Sequence, residues 1–165
     1  MKIILVFASV LILFSTNTFA EDLPAGLILK EAPAGAKDVS ALKKDAKEGD
    51  DVVIRGQIGG DKAPFVNKRA IMRIMDMKLP ACNTKPGDDC KTPWDFCCET
   101  PETLKANSAT IECCNADGKP LKVELKGMNG IDNLSVVVVK GKVTSRIGDN
   151  LIIQASGIFV EKAAK

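Results

Sequence analysis

Ile54-Arg-Gly-Gln-Ile58 and Val139-Lys-Gly-Lys-Val143 share one pattern: an apolar residue, a basic one, glycine, a polar one, then apolar again. In the first, extended back to Val52, the residues Val52, Ile54 and Ile58 alternate with Arg55 and Gln57. That period of two is the mark of a strand with one buried face. Glycine inside a strand weakens it, so its placement marks a bulge or a sharp bend. Two bent strands in a sheet of five or six suit a small closed barrel, which must turn corners, better than a plain sandwich. The pair therefore predicts an all-β, five- to six-stranded barrel.

Outward from these strands the same reading continues. Ala70 to Leu79 is apolar on both faces apart from Arg73, Asp76 and Lys78, and Ala109 to Cys114 gives a further strand. The turn Asn115-Ala-Asp-Gly118 leads into Leu121, Val123 and Leu125, which alternate with lysine and glutamate as a returning hairpin arm would. Val136 to Val143 and Leu151 to Val160 complete the set, joined by the turn Arg146-Ile-Gly-Asp-Asn150. Ahead of the strands, Val39, Leu42 and Ala46 fall on one face of a short helix over Asp38 to Glu48, with Asp38 placed to cap it and Gly49 to end it. Residues 21–37, rich in Ala, Gly, Pro and Lys, read as a leader without much fixed structure. The barrel domain is expected over 38–162.

The first twenty residues carry a different message. Lys2, the apolar run Ile3 to Phe14, and a polar stretch ending on Thr18-Phe-Ala20 form the three parts of a secretory signal peptide, with cleavage after about Ala20. The run is shorter than the roughly 20 apolar residues a spanning helix needs. A periplasmic or secreted protein is expected, with no membrane span after cleavage. Removing the signal leaves basic and acidic residues almost balanced, which argues against strong attraction to nucleic acid or membranes. Phe65, Trp94, Phe96 and Phe159 remain as the aromatics of the mature chain.

Histidine is absent, which removes the commonest general base and every Ser–His or Cys–His pair. Gly-x-Ser-x-Gly, phosphate-cradling glycine loops and the zinc-protease helix motif are also missing. The sequence predicts a protein that is not an enzyme.

Chemistry concentrates in the segment 80–107, a loop-like insertion with Pro80, Pro86-Gly87 and Pro93. Within it, Thr100 and Pro101 are the cap and first residue of a helical turn. Cys82, Cys90, Cys97 and Cys98 lie in the insertion, and Cys113 and Cys114 follow it. In an exported chain an even number of clustered cysteines predicts disulfides, though six allow 15 pairings and sequence does not choose among them. A metal held by Cys82, Cys90, Cys97 and Cys98 is the alternative, weakened by the lack of a C-x₂-C knuckle. No cofactor is otherwise indicated, and without C-x-x-C a thiol-redox role has little support. Trp94 offers a stacking ring, or else covers sulfur or plugs one end of the barrel.

The chain resembles bacterial exported OB-fold proteins, small five-stranded Greek-key barrels. Carrying the resemblance are Glu48-Gly-Asp-Asp-Val-Val-Ile-Arg-Gly-Gln-Ile58, Ile74-Met-Asp76, Leu134-Ser-Val-Val-Val-Val-Lys-Gly-Lys-Val143 and Asn150-Leu-Ile-Ile-Gln-Ala-Ser-Gly-Ile158. The segment Cys90-Lys-Thr-Pro-Trp-Asp-Phe-Cys-Cys98 is similar to one in uncharacterised members of that group. The resemblance implies a binding or structural module of unknown ligand or protein partner. An oligonucleotide- or glycan-binding barrel would use Arg55, Gln57, Lys68, Arg69, Arg73 and Trp94, because such barrels bind through these strands and loops. The small basic surplus and the lack of aromatic platforms on those strands disfavour nucleic acid.

Overall fold

The computed structural model describes residues 23–84, 87 and 89–164; the expected signal peptide and its cleavage point lie outside them. The structure is mostly β. β1 (Lys37–Asp38) leads into α1 (Val39–Asp45), followed by β2 (Asp51–Ile58), β3 (Ile71–Met75), α2 (Pro101–Ala106), β4 (Ser108–Glu112), β5 (Val136–Ile147) and β6 (Asn150–Lys162). The strands form one six-stranded sheet in the order β1-β2-β3-β4-β6-β5, and a further pairing of β2 with β5 closes five of them into a ring. Every contact in the ring is antiparallel except that of β4 with β6.

Alternation decides what the ring encloses. Along β2, Val52, Ile54, Gly56 and Ile58 are buried and the residues between them are not. They meet Met72, Ile74, Ile111, Val137, Val139, Leu151, Ile153 and Ile158 in one continuous core, to which α1 adds Val39 and Leu42. Gly141 sits at a register shift between β5 and β6, where a Cβ would stand 2.3 Å from the Gln154 carbonyl oxygen. Gly56 has the Met75 carbonyl oxygen 2.8 Å from where its Cβ would be. Both glycines thus mark places where strands approach too closely for a side chain.

Three expectations need correction. The arm Leu121–Leu125 is not a strand, although Leu121 and Leu125 are buried. β4 already has β3 on one side and β6 on the other, so no free edge remains for it. Leu121 N–H donates to the Cys113 carbonyl and Ala70 N–H to the Leu121 carbonyl, both at 2.9 Å. The leader is not loose over its described part. Leu27 is buried, Leu29 N–H donates to the Ile158 carbonyl and Ile158 N–H to the Leu27 carbonyl, while Leu29 packs where Gly157 leaves room. Finally, α1 stops at Asp45, short of the 38–48 span, with Ala46 already extended. Arg146 on β5 donates to the carbonyls of Lys43 and Ala46, satisfying the end of the helix that Gly49 was expected to close.

Candidate metal centre

The insertion folds as two single turns of 3₁₀-helix, Cys82–Thr84 and Pro93–Asp95, followed by α2. Thr100 caps α2 by accepting from Thr103 N–H at 3.2 Å, and Pro101 takes the first helical position, as the sequence indicates. One aromatic anchors the whole. Phe96 is fully buried with Met75 and Ala81, with Leu79, Leu104 and Leu134 packed around them. Its φ of 54° places it in the left-handed region, uncommon for a bulky side chain. Gly59 makes the docking feasible, because a Cβ there would lie 2.5 Å from the Trp94 carbonyl oxygen and 2.7 Å from the Phe96 ring. Gly60 N–H donates to the Trp94 carbonyl at 2.8 Å, and the Trp94 indole N–H donates to the Lys62 carbonyl at 3.1 Å.

This docking gathers sulfur. Cys82 Sγ lies 3.7 Å from Cys97 Sγ and 3.9 Å from Cys98 Sγ, and Cys90 Sγ lies 3.8 Å from Cys97 Sγ. Four ligands at the usual Zn–S distance of about 2.3 Å, tetrahedrally disposed, stand about 3.8 Å apart. A disulfide needs about 2.05 Å. The separations among Cys82, Cys90 and Cys97 suit ligands sharing one ion better than a bridge with a bystander. Cys82 is buried, Cys90 half-buried, and Cys97 and Cys98 are exposed, so the centre sits at the surface of the insertion.

Asp95 belongs to the same cluster: one of its carboxylate oxygens and the sulfurs of Cys82, Cys90 and Cys97 all lie within 4.8 Å of one another. It is buried, and both oxygens are engaged. Oδ2 accepts from the Thr92 hydroxyl at 2.8 Å and Oδ1 from Cys97 N–H at 2.9 Å. Burial alone would raise its pKa, but these bonds prevail and hold the carboxyl below the usual range. Asp95 therefore sets the backbone of Cys97; Cys98, whose Sγ lies 3.9 Å from Cys82 Sγ, stands outside the group of four whose ligand atoms all lie within 4.8 Å of one another. The Cys97 thiol is pushed up, first by hydrogen bonding with Cys82 and then with Cys90. Crowded thiols cannot all ionise without a cation, and a bound divalent ion reverses that logic.

Cys113 and Cys114 stand apart from this cluster. Cys113 is buried in the main core, where burial pushes its thiol to about 12, and Cys114 lines a small cavity with Pro24, Leu27 and Ser156. The structure also disperses the other expected binding residues. Arg55 is held by Glu161 through two bonds of 2.7 Å, and Gln57 Nε2 donates to the Leu134 carbonyl at 3.0 Å. Arg73 donates to the Gly60 carbonyl at 3.1 Å and pairs with Asp61 Oδ2 at 3.4 Å on the lining of a cavity of about 490 Å³ that Leu104 and Asn150 also line. Lys68 and Arg69 are exposed in the turn before β3 and line no described cavity with the others. Trp94 is half-buried and shares a groove with Gln57 alone of that set.

Asp95 was not among the residues the sequence singled out, although its place two residues before a cysteine is the spacing of an Asx turn. Compared with protein-family models and with curated proteins, the chain matches none.

Proposed function

We propose that this chain is an exported, non-enzymatic β-ring protein of the OB type whose insertion holds one metal ion, zinc in the first instance, through Cys82, Cys90, Cys97 and Cys98. The observation that carries the reading is the set of sulfur separations of 3.7, 3.8 and 3.9 Å. The ring order β2-β3-β4-β6-β5 with a parallel β4–β6 contact favours the OB assignment, and the apolar run behind Lys2 favours export. Four thiolates without a histidine suit a soft or borderline ion such as zinc, in a closed site of the structural kind. Bound there, the ion would pin Cys82 at the start of the insertion to Cys97 and Cys98 near its middle. Among the described residues between those ends the regular structure is two single 3₁₀ turns, so binding energy would be folding energy for the insertion.

A second reading has one observation behind it: an exported chain meets an oxidising compartment, where the same cysteines would form bridges. Mass spectrometry of the protein purified without reductant separates the two. Native spectra with one zinc per chain, and full alkylation of the cysteines after denaturation, are the expected results. A mass short by two hydrogens per bridge, with no metal bound, would overturn the metal reading.

A further inference from the structure

The four sulfurs of the insertion approach one another in a line. Cys90 Sγ lies 3.8 Å from Cys97 Sγ, which lies 3.7 Å from Cys82 Sγ, which in turn lies 3.9 Å from Cys98 Sγ. Four cysteines allow three pairings, and the line separates them. Cys90 with Cys97 and Cys82 with Cys98 uses both end contacts and leaves no sulfur over. Cys82 with Cys97 uses the middle contact and leaves Cys90 and Cys98 at opposite ends. Cys97 with Cys98 needs a bridge between neighbours, whose Cα atoms the peptide holds about 3.8 Å apart, closer than the roughly 4.4–6.8 Å that a bridge spans.

We infer that the insertion is a disulfide-forming site as well as a metal site: a small-molecule disulfide converts its four cysteines to the bridges Cys90–Cys97 and Cys82–Cys98, and the ion leaves. The release of the ion rests on the metal reading above; the pairing does not.

Cys97 and Cys98 are exposed and Cys90 is half-buried, whereas Cys82 is buried. Exchange therefore starts at the exposed sulfurs, and Cys82 enters as an inner partner. The Cys97 thiolate attacks one sulfur of the incoming R–S–S–R and displaces one RS⁻, leaving a mixed disulfide. The Cys90 thiolate then attacks the Cys97 sulfur and displaces the second RS⁻. Cys98 and Cys82 repeat the sequence. Each bridge oxidises two cysteine thiolates and reduces one R–S–S–R to two thiolates. Two oxidant molecules thus consume all four ligands, and a divalent ion departs with its own oxidation state unchanged.

The backbone around the sulfurs is fixed by groups that this exchange does not touch. Phe96 is fully buried, its carbonyl accepts from Glu99 N–H at 2.9 Å, and Asp95 Oδ1 accepts from Cys97 N–H at 2.9 Å. Closing each pair to about 2.05 Å falls to the side chains. The bridges are nested, Cys90–Cys97 inside Cys82–Cys98, and the outer one joins the same ends of the insertion that the ion joins. The insertion is therefore held in both states, by sulfur–metal bonds in one and by sulfur–sulfur bonds in the other. Cys113 and Cys114 take no part: they are neighbours in sequence, and they line a separate cavity with Pro24 and Leu27.

The zinc-loaded protein is treated with excess oxidised glutathione, with a chromogenic indicator reporting free zinc against a control without oxidant. One zinc released per chain is expected, together with two bridges, while Cys113 and Cys114 remain open to alkylation after denaturation. Limited reduction in acid, tagging of the freed thiols and tandem mass spectra, which separate Cys97 from Cys98, then give the pairs. Cys90 should carry the tag together with Cys97, and Cys82 together with Cys98. Proteolysis within 80–107 should be about tenfold slower in the zinc-loaded and bridged forms than in the reduced, zinc-free chain. A Cys82–Cys97 bridge with glutathione left on Cys90 and Cys98 would overturn the pairing. Zinc-loaded protein whose cysteines stay reduced under excess oxidant would overturn the conversion and leave the metal reading intact. A chain that never retains zinc but forms the two bridges would overturn the metal reading and leave the pairing intact.

Discussion

Ser40 N–H donates to Asp76 Oδ2 at 2.6 Å, so the first turn of α1 is capped from the end of β3, 36 residues downstream. Asp38 occupies the cap position, but its side chain makes no capping bond. Asp76 is fully buried, and its other oxygen accepts from Lys78 N–H at 2.9 Å. A single carboxylate thus joins helix, strand and the approach to the insertion.

Acid should release that joint. Burial by itself would raise Asp76, yet the bonds from Ser40 and Lys78 and the Lys78 charge outweigh it and hold the carboxyl below its ordinary value. Its contribution to stability is therefore present above the unfolded value of about 3.9 and fades as pH falls below it. Asp76→Asn should lower unfolding free energy by about 1–3 kcal/mol at pH 7, the cost of a weakened buried hydrogen-bond set. Denaturant unfolding at pH 7 and near pH 3 checks this: the gap between parent and variant should narrow in acid, and an unchanged gap would remove the carboxylate from the account.

What could be read from the sequence follows from how local each cause is. β2 and β5 are legible because the inside and outside of a ring impose a period of two, and Gly141 because a close strand approach forbids a Cβ. Leu121 to Leu125 has the same period and is not a strand, since pairing depends on whether a neighbouring edge is free, and β6 occupies it. Asp76 as a cap is invisible for the same reason: its partner is distant in the chain. The sulfur cluster was legible as a set of cysteines but not as a geometry. Cys82 and Cys97 come together in a segment that Phe96 docks against Gly59, while Cys113 lies in the main core and Cys114 beside it. Arg55 and Gln57 looked available for a ligand until Glu161 and the Leu134 carbonyl claimed them.

The two groups of cysteines should answer differently to the same substitution. Cys97→Ser removes a sulfur that lies within 3.8 Å of both Cys82 and Cys90, and serine is a poor ligand for a soft site. Zinc content should fall from one per chain to near zero at micromolar metal, while circular dichroism keeps the β signal of the ring. Cys113→Ser touches no ligand but puts a hydroxyl into the main core. It should retain its zinc and lose about 1–3 kcal/mol of stability, the cost of burying a polar group without a partner. Zinc loss in Cys113→Ser would mean that the two groups are one.

Gly59→Ala tests how the insertion is held. The glycine has ordinary backbone dihedrals, so alanine brings no conformational strain there, only a methyl group directed at the Trp94 carbonyl and the Phe96 ring. The Trp94 carbonyl is fixed by Gly60 N–H and the ring is fully buried, so neither can give way cheaply. Overpacking of this kind costs about 1–3 kcal/mol, and it falls on the insertion before the ring, whose core lies in a separate cluster. The expected signs are a red-shifted Trp94 emission and faster proteolysis within 80–107, with the far-ultraviolet spectrum of the ring unchanged. Zinc affinity should drop as well, because the turn bearing Trp94 also bears Asp95 and leads into Cys97. A variant with parental emission, proteolysis and zinc affinity would mean that the insertion is positioned by its sulfurs alone and that Gly59 merely lies beneath it.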